Sequence, residues 1–232
     1  MRNKNENRYD DVVLNEEDIS KDIEEYKIDD CITVLYDWCF EYCKNLKEIN
    51  IPNSVREVGY ECFYNCINLT SITIPDSVTK IDSGCVNNCS NLTSITIPNS
   101  VKAIGYECFK DCINLTSITI PNSVKAIWCD CFYNCINLTS ITIPNSVTII
   151  DNGCFERCIN LTKIEIPNSV TEIGCWCFRE CSNLKEIKIP SSVKEIGNEC
   201  FHGCINLTKI IIMNPELELN DIPIDIEIEY HN

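Results

Sequence analysis

The chain has 232 residues, of which 44% are hydrophobic, and its 35 acidic and 19 basic side chains give a formal net charge of -16. This excess of acid argues against nucleic-acid binding, which depends on basic side chains that neutralise phosphates. Charged residues throughout the first 20 positions, and the lack of any run of about 18 apolar residues, predict neither a secretory signal nor a transmembrane segment. We therefore expect a cytoplasmic location; the alternative is the cell surface or exterior, reached by an unconventional route.

The first segment of the chain, residues 1–27, is predicted to be an acidic N-terminal cap. Residues 1–30 hold 11 acidic and five basic side chains. Leu14, Ile19, Ile23 and Tyr26 give this segment an apolar side that could cover a neighbouring unit. Caps of this kind are needed because the end of a repeat array would otherwise expose its core.

A period of 23 residues governs the next segment, residues 28–211. Proline recurs at this spacing from Pro52 to Pro190, and Leu, always preceded by Asn, recurs from Leu46 to Leu207. The sequence NLTSITIPNSV stands unchanged at 91–101, 114–124 and 137–147. We count eight units, the first of them degenerate. A fixed period of this length indicates a solenoid in which each unit packs on its neighbours.

Each unit combines two hydrophobic patterns. In residues 71–74 two isoleucines alternate with Ser and Thr, which predicts a short half-buried strand that ends at Pro75. Cys62, Phe63 and Cys66 are spaced i, i+1 and i+4, which predicts one inward face of a short helical turn. Stacked in register, the units would form a parallel sheet over a continuous core of Leu, Ile, Val, Phe and Cys.

The pattern L-x-x-I-x-I-P-x-S-V-x-x-I-G-x-x-C-F-x-x-C-x-N-L resembles the BspA-like (treponema-type) class of leucine-rich repeat over about residues 28–215. The resemblance implies an α/β repeat solenoid, curved and right-handed, with its parallel sheet on the concave side. The chain departs from that class in its first Cys column, where Ala is more usual, and at Val86, which replaces an aromatic residue. Members of the class are mostly described as surface or adhesion proteins, which makes adhesion an alternative function.

The last segment, residues 212–232, is predicted to be an acidic C-terminal cap. It holds six acidic and no basic side chains. From Ile222 to Tyr230 apolar and acidic residues alternate, which favours a terminal strand whose outer edge is protected by charge.

Sixteen of the 19 cysteines form two columns at 23-residue steps, which start at Cys39 and Cys43. We predict buried free thiols, because Cβ atoms at i and i+4 of a helical turn lie about 5–6 Å apart and a disulfide needs about 3.5–4.5 Å. The spacing also resembles that of zinc ligands, but thiolates in an apolar core are costly, so no metal ligand is predicted. Cys31, Cys129 and Cys175 lie outside the columns, and we expect the last two to be more exposed. A thiol-based metal or redox buffer is retained as a distant alternative function.

Catalytic residues are not predicted. A catalytic cysteine needs a nearby cation, whereas His202 is expected to point outward and His231 lies in the tail. The chain lacks the common phosphate-loop, zinc-protease and nucleophile-elbow motifs. We therefore predict a protein that is not an enzyme and needs no cofactor.

Seven glycosylation sequons occur, six of which are Asn-Leu-Thr copies of one repeat position. Their Leu belongs to the predicted core, so we expect the Asn side chain to bond the backbone where the strand begins. They would act as acceptors only in a secreted protein.

The outward strand positions of four units form a ladder of uncharged hydroxyls. We predict that this ladder binds a protein partner, or a cell-surface protein or glycan; the alternative is a solvated sheet in which Thr only favours the strand. Its members are Ser71, Thr73, Ser94, Thr96, Ser117, Thr119, Ser140 and Thr142.

Aromatic residues on the other side of the units form a second candidate surface, since exposed aromatics often anchor contacts. Trp128 and Trp176 depart furthest from the repeat pattern and are the predicted anchors; the alternative is that the aromatics only cover the core. These surfaces favour a non-catalytic protein-protein interaction module. The other aromatics of this surface are Tyr36, Trp38, Tyr60, Tyr64, Tyr106 and Tyr133.

Overall fold

The computed structural model describes residues 11–219 and 226–231. The chain forms a parallel β-solenoid of about nine turns, with two strands in most turns and a tight non-helical segment between one turn and the next. The predicted solenoid is therefore confirmed. One of its turns begins ahead of the eight predicted units, because β1 (Val13–Leu14) pairs in parallel with β2 (Val34–Leu35).

The first sheet carries the predicted Ile-x-Ile strands, and its partners are 23 residues apart from Glu48 to Ile212. Its pairing is interrupted between the first and second of the three units that share the sequence NLTSITIPNSV, at residues 96–117. It is interrupted again around residues 163–165, where a single bridge joins Glu165 to Lys188. Numbered in chain order, its strands are β3 (Glu48–Asn50), β5 (Ser71–Thr73), β7 (Ser94–Thr96), β9 (Ser117–Thr119), β11 (Ser140–Thr142), β14 (Glu186–Ile189), β16 (Lys209–Ile212) and β17 (Glu227–Tyr230).

The second sheet consists of two-residue strands that follow the Pro-Asn-Ser turn of each unit. It divides into a five-stranded and a four-stranded part, with the interruption between β8 and β10. Besides β1 and β2, its strands are β4 (Glu57–Val58), β6 (Lys80–Ile81), β8 (Ala103–Ile104), β10 (Ala126–Ile127), β12 (Ile149–Ile150), β13 (Glu172–Ile173) and β15 (Glu195–Ile196).

The core lies between the sheets and consists of the columns that the period predicts. Cys62, Phe63 and Cys66 are fully buried, as are their counterparts in the other turns. Most phenylalanines stack nearly parallel along the solenoid, for example Phe109 on Phe132 with ring centroids 5.2 Å apart. Each turn thus buries its apolar side chains against two neighbours, which a single 23-residue unit could not do alone.

The predicted helical turn is wrong, and with it the α/β part of the predicted fold class, because the described chain is a β-solenoid with almost no helix. The only helix in the described residues is a short 3-10 helix, Glu16–Asp18. The segment that carries the cysteines is instead a tight turn with two residues in the left-handed backbone region, at φ between 49° and 76°. Thirteen of these sixteen residues are not glycine. The first column is Trp38, Glu61, Gly84, Glu107, Asp130, Gly153, Trp176 and Glu199, and the second is Tyr42, Asn65, Asn88, Asp111, Asn134, Arg157, Glu180 and Gly203.

These tight turns form what we call the turn stack, which comprises residues 38–42 and the equivalent residues of the later turns. The amides of Trp38, Phe40 and Tyr42 donate to carbonyl oxygens of the next turn at 2.8 Å, while Cys39 and Glu41 donate within their own turn. The same three bonds recur at each junction up to residues 176–202. Three bonds worth about 1 kcal/mol each offset two left-handed residues that cost about 1–2 kcal/mol each.

Left-handed backbone at Glu199 (φ 52°) leads to a stability prediction. Glu199→Val is expected to lower the free energy of unfolding by about 1–2 kcal/mol relative to Glu199→Asn, because a β-branched residue is strained there and Asn is tolerated. Urea unfolding of both variants measures this difference. Glu195→Val, an exposed strand position in β15, is the control and should change stability little. Equal stability of the two Glu199 variants would contradict the turn geometry.

Candidate functional site

The eight predicted hydroxyl side chains lie together on the outer face of the first sheet, and we call them the hydroxyl array. All eight are exposed. Ser71 pairs with Ser94 and Thr73 with Thr96, and the same register joins the pairs of β9 and β11. Neighbouring strands lie about 4.8 Å apart and alternate residues roughly 6.7 Å apart. The array is therefore two columns of hydroxyls at regular spacing, divided where β7 and β9 are not paired.

The hydroxyls of the array are not used by the fold. None of the eight hydroxyl groups forms a hydrogen bond with another described residue. Other hydroxyls of the same units are committed: the Ser77 side chain donates to the Val55 carbonyl at 2.6 Å, and Thr139 donates to the Thr116 carbonyl at 3.1 Å. The repeat thus uses some hydroxyls to join turns and leaves this set free to bond a ligand.

The same face becomes charged beyond the array. A groove of about 530 Å³ opens there, and its lining includes Lys163, Glu165, Lys185, Glu186 and Lys188. Lys163 donates to Glu165 at 2.7 Å, and this bond lowers the pKa of Glu165. The sheet face therefore offers uncharged hydroxyls in the middle turns and a mixture of charges next to them.

The two predicted tryptophan anchors lie on the turn side of the solenoid and are two turns apart. Trp176 is 44% exposed and belongs to the first left-handed column. Trp128 is half-buried, and its ring lies 5.5 Å from that of Tyr106. It also stands directly after β10, where the second sheet is interrupted. The structure therefore does not bring the two tryptophans together, and of the two only Trp176 is an exposed side chain.

An exposed aromatic residue that the sequence reasoning missed is Tyr42, which is 44% exposed and whose ring lies 5.4 Å from that of Tyr64. Tyr42 stands in the second left-handed column, where other turns have Asn65, Asn88 or Asn134. The replacement of a recurrent Asn by Tyr was the signal in the sequence that could have identified it.

The sequon asparagines form a ladder. The expectation of backbone bonding is confirmed at Asn68, which donates to the Lys44 carbonyl at 2.8 Å, and at Asn206, which donates to the Ser182 carbonyl at 2.7 Å. In between it is wrong, because each side chain there donates its amide to the side-chain oxygen of the preceding Asn. These donors are the sequon residues Asn91, Asn114, Asn137 and Asn160, together with Asn183, which stands in the same repeat position without being a sequon. The nitrogens that a glycan would modify thus have a structural role.

The sixteen column cysteines are buried, as predicted. In the second column each thiol donates to a backbone carbonyl of the preceding turn, for example Cys135 to Phe109 at 3.1 Å. Burial raises the pKa of the second-column thiols, for example that of Cys204 to about 12. In the first column it raises the pKa of Cys108 to about 12. Because the thiolate is both the nucleophile and the metal ligand, this environment disfavours a metal or redox role for the columns.

The remaining reactive groups are scattered. Cys129 and Cys175 are half-buried, as expected of them, and Cys31 is exposed. His202 is exposed, whereas Cys200 and Cys204 of its turn are buried. Among the described residues no three or more His, Cys, Asp or Glu side chains are grouped as metal ligands would be. Within the same described residues, no helix is long and apolar enough to cross a membrane.

Differences in thiol environment lead to a prediction about alkylation of the folded chain. Cys31 should react first, Cys129 and Cys175 slowly, and the sixteen buried thiols only after unfolding. Burial, followed by the charge of Asp130, raises the pKa of Cys129 to about 11. Its labelling rate should therefore rise about tenfold per pH unit between about pH 7 and 10, because only the thiolate reacts.

Intact-mass measurement and peptide mapping after brief alkylation would follow each thiol. Denatured chain provides the control and should accept 19 labels, one for each cysteine. Labelling of a column cysteine in the folded chain, or a rate at Cys129 that is independent of pH, would contradict the buried environments described above.

The comparisons with known proteins agree with this geometry. The family described as BspA type leucine-rich repeat region matches the chain in six copies, over residues 19–127 and 102–222. A leucine-rich repeat protein from Bacteroides ovatus is 32% identical, with a TM-score of 0.64, over 94% of this chain and 60% of that chain. The T. pallidum leucine-rich repeat protein is 29% identical, with a TM-score of 0.59, over 76% of this chain and 72% of that one.

A more distant structure, the pneumococcal vaccine antigen PcpA, is 20% identical with a TM-score of 0.52, which supports the fold alone. This chain spans only 60% of the length of the B. ovatus protein. No curated protein matches it. The family match extends over most of the described turns and agrees with their 23-residue register. The chain belongs to the BspA-type leucine-rich repeat family.

Proposed function

We propose that this chain is a non-catalytic protein-interaction module whose first-sheet face binds a protein partner through the hydroxyl array. The observation that carries the proposal is the alignment of the eight hydroxyls in two columns on one sheet face. They are exposed and make no bond within the described chain, whereas the hydroxyls of Ser77 and Thr139 join the turns. Free hydroxyls on a rigid sheet can donate to and accept from a partner without losing bonds of their own.

Repetition of the array favours avidity. The strand sequence Ser-Ile-Thr is identical in the four units that supply the array, which are those of β5, β7, β9 and β11. A partner with repeated contact groups would meet the same pair four times, so weak single contacts would combine into firm binding. We further propose a cytoplasmic location, because a reducing compartment keeps thiols such as the 19 of this chain free.

Site-specific photo-crosslinking tests the function. A photo-reactive amino acid is placed at Thr96, within the array, and in a matched chain at Thr79, an exposed threonine outside the array. In lysate of the native host, saturable cross-links to the same protein are expected from Thr96 and not from Thr79. Protease and glycosidase treatment of the product would show whether the captured species is a protein or a glycan.

Substitution within the array tests the same claim quantitatively. For this test the photo-reactive amino acid is placed at Ser94. The double substitution Thr96→Lys with Thr119→Lys should then reduce cross-linking more than tenfold, because two long charged side chains would cover the neighbouring hydroxyls. Stability should change by less than about 0.5 kcal/mol, since both positions are exposed. Thr79→Lys with Ser191→Lys is the control. Equal capture by both double variants would overturn the assignment of the first-sheet face.

A further inference from the structure

Five aromatic side chains lie at the N-terminal end of the turn side, and we call them the aromatic patch: Tyr36, Trp38, Tyr42, Tyr60 and Tyr64. Tyr36 is 52% exposed, Trp38 40% and Tyr42 44%. The rings of Trp38 and Tyr60 are 5.7 Å apart, and those of Tyr42 and Tyr64 are 5.4 Å apart. Large aromatics exposed together are typical of contact surfaces. The patch lies outside the hydroxyl array, and the inference below does not rest on the function proposed for that array.

The stability of the fold does not explain the two most prominent rings. Trp38 and Tyr42 stand at φ 60° and 58°, in the two left-handed columns. Apart from Trp176, the other turns fill these positions with Gly or with polar and charged residues, for example Glu61, Asn88 and Arg157, so the left-handed backbone does not need an aromatic side chain there. A large side chain that is still about 40% exposed gains little from burial. Exposed aromatics at positions where the fold accepts polar residues point to a role in binding.

Carboxylates are interleaved with these rings. Glu61 accepts a hydrogen bond from Trp38 Nε1 at 3.2 Å, and its hydrogen bond with Tyr60 is the main reason that the pKa of Tyr60 is raised to about 12. Asp37 accepts from the Tyr60 amide at 2.7 Å. The two carboxylates are thus fixed in position beside the rings and leave acceptor capacity for a partner.

Glu41 adds negative charge that the described chain offsets only in part, through the nearby Lys21. No described basic side chain forms a salt bridge with it, and Lys21, which is near it, pairs with Glu16 at 3.4 Å. Burial, followed by the charges of Glu16 and Glu61, raises the pKa of Glu41. Residues 11–65 together hold 14 acidic and five basic side chains. A cation placed on the patch would therefore relieve repulsion between carboxylates.

The chain itself shows that cations lie over such rings. Lys44 Nζ is 5.8 Å from the centre of the Tyr42 ring, and Lys110 Nζ is 5.1 Å from that of Tyr133. No such cation lies over Trp38 in the described chain, although Trp gives the strongest cation-π contact.

The ring geometry favours a basic partner over a sugar. Trp38 and Tyr60 meet at 85°, and Tyr42 and Tyr64 at 89°. Perpendicular pairs do not form the flat platform on which a sugar face stacks. An ammonium or guanidinium group can approach the Trp38 ring, which no described cation covers, whereas Lys44 already lies over Tyr42. We propose that the aromatic patch, with Asp37, Glu41 and Glu61, binds an Arg- or Lys-rich segment of a partner protein.

Fluorescence anisotropy with the full chain tests this proposal. The probe is a labelled peptide of four Arg-Gly repeats, and the same peptide with Glu in place of Arg is the negative control. The chain should bind the Arg peptide, and Trp38→Asn with Tyr42→Asn should weaken binding at least tenfold. Because Asn tolerates left-handed backbone, thermal unfolding of this variant should be unchanged or shifted to higher temperature. Binding and stability would then move in opposite directions.

A matched variant, Trp176→Asn, makes the same change six turns farther along the first left-handed column and should leave peptide binding unchanged. Equal loss in Trp176→Asn and in the patch variant would overturn the proposal. So would loss of binding with Glu41→Gln and Glu61→Gln but not with Trp38→Asn and Tyr42→Asn, because the aromatic rings would then have no part in binding. Binding of chitohexaose that Trp38→Asn abolishes, without binding of the Arg peptide, would make the occupant a glycan and overturn it as well.

Discussion

The turn stack is the contact on which the rest of this solenoid depends. Both sheets are interrupted along the chain, whereas the three amide bonds per junction of the turn stack continue from residues 38–64 to residues 176–202. Those bonds require two left-handed residues in every turn. Because they hold neighbouring turns in register, Phe stacks on Phe, Cys lies beside Cys, and each Asn reaches the preceding Asn.

This register also determines what remains for binding. Thiols and many hydroxyls donate to the preceding turn, so their bonds are used within the stack. The hydroxyls of the array make no hydrogen bond within the described chain, and Trp38, Tyr42 and Trp176 remain exposed in the left-handed columns. Two surfaces with different chemistry follow, one of uncharged hydroxyls and one of aromatic rings with carboxylates.

The sequence predicted the solenoid and its buried columns, because a 23-residue period leaves few alternatives. The helical turn predicted for the cysteine segment was wrong, because buried residues spaced i, i+1 and i+4 fit a tight turn as well as a helical turn. The recurrent Asn65, Asn88 and Asn134, with Gly84 and Gly203, were the signal of left-handed backbone. The binding face could not be derived, because Ser and Thr on a solvated strand look the same as those on a strand that binds a partner. The structure shows which hydroxyls have a hydrogen-bond partner within the described chain, for example those of Ser77 and Thr139.

Amide hydrogen exchange by NMR tests the central claim most directly, since it reports on the turn stack residue by residue. The amides of Phe109, Phe132 and Phe155 each donate to a carbonyl of the next turn at 2.9 Å. They should exchange as slowly as the strand amides of β9 and β11, because both sets open only when neighbouring turns separate. Exchange of the three Phe amides at the rate of exposed loop amides, with the strands still protected, would contradict the claim that the turn stack holds the solenoid in register.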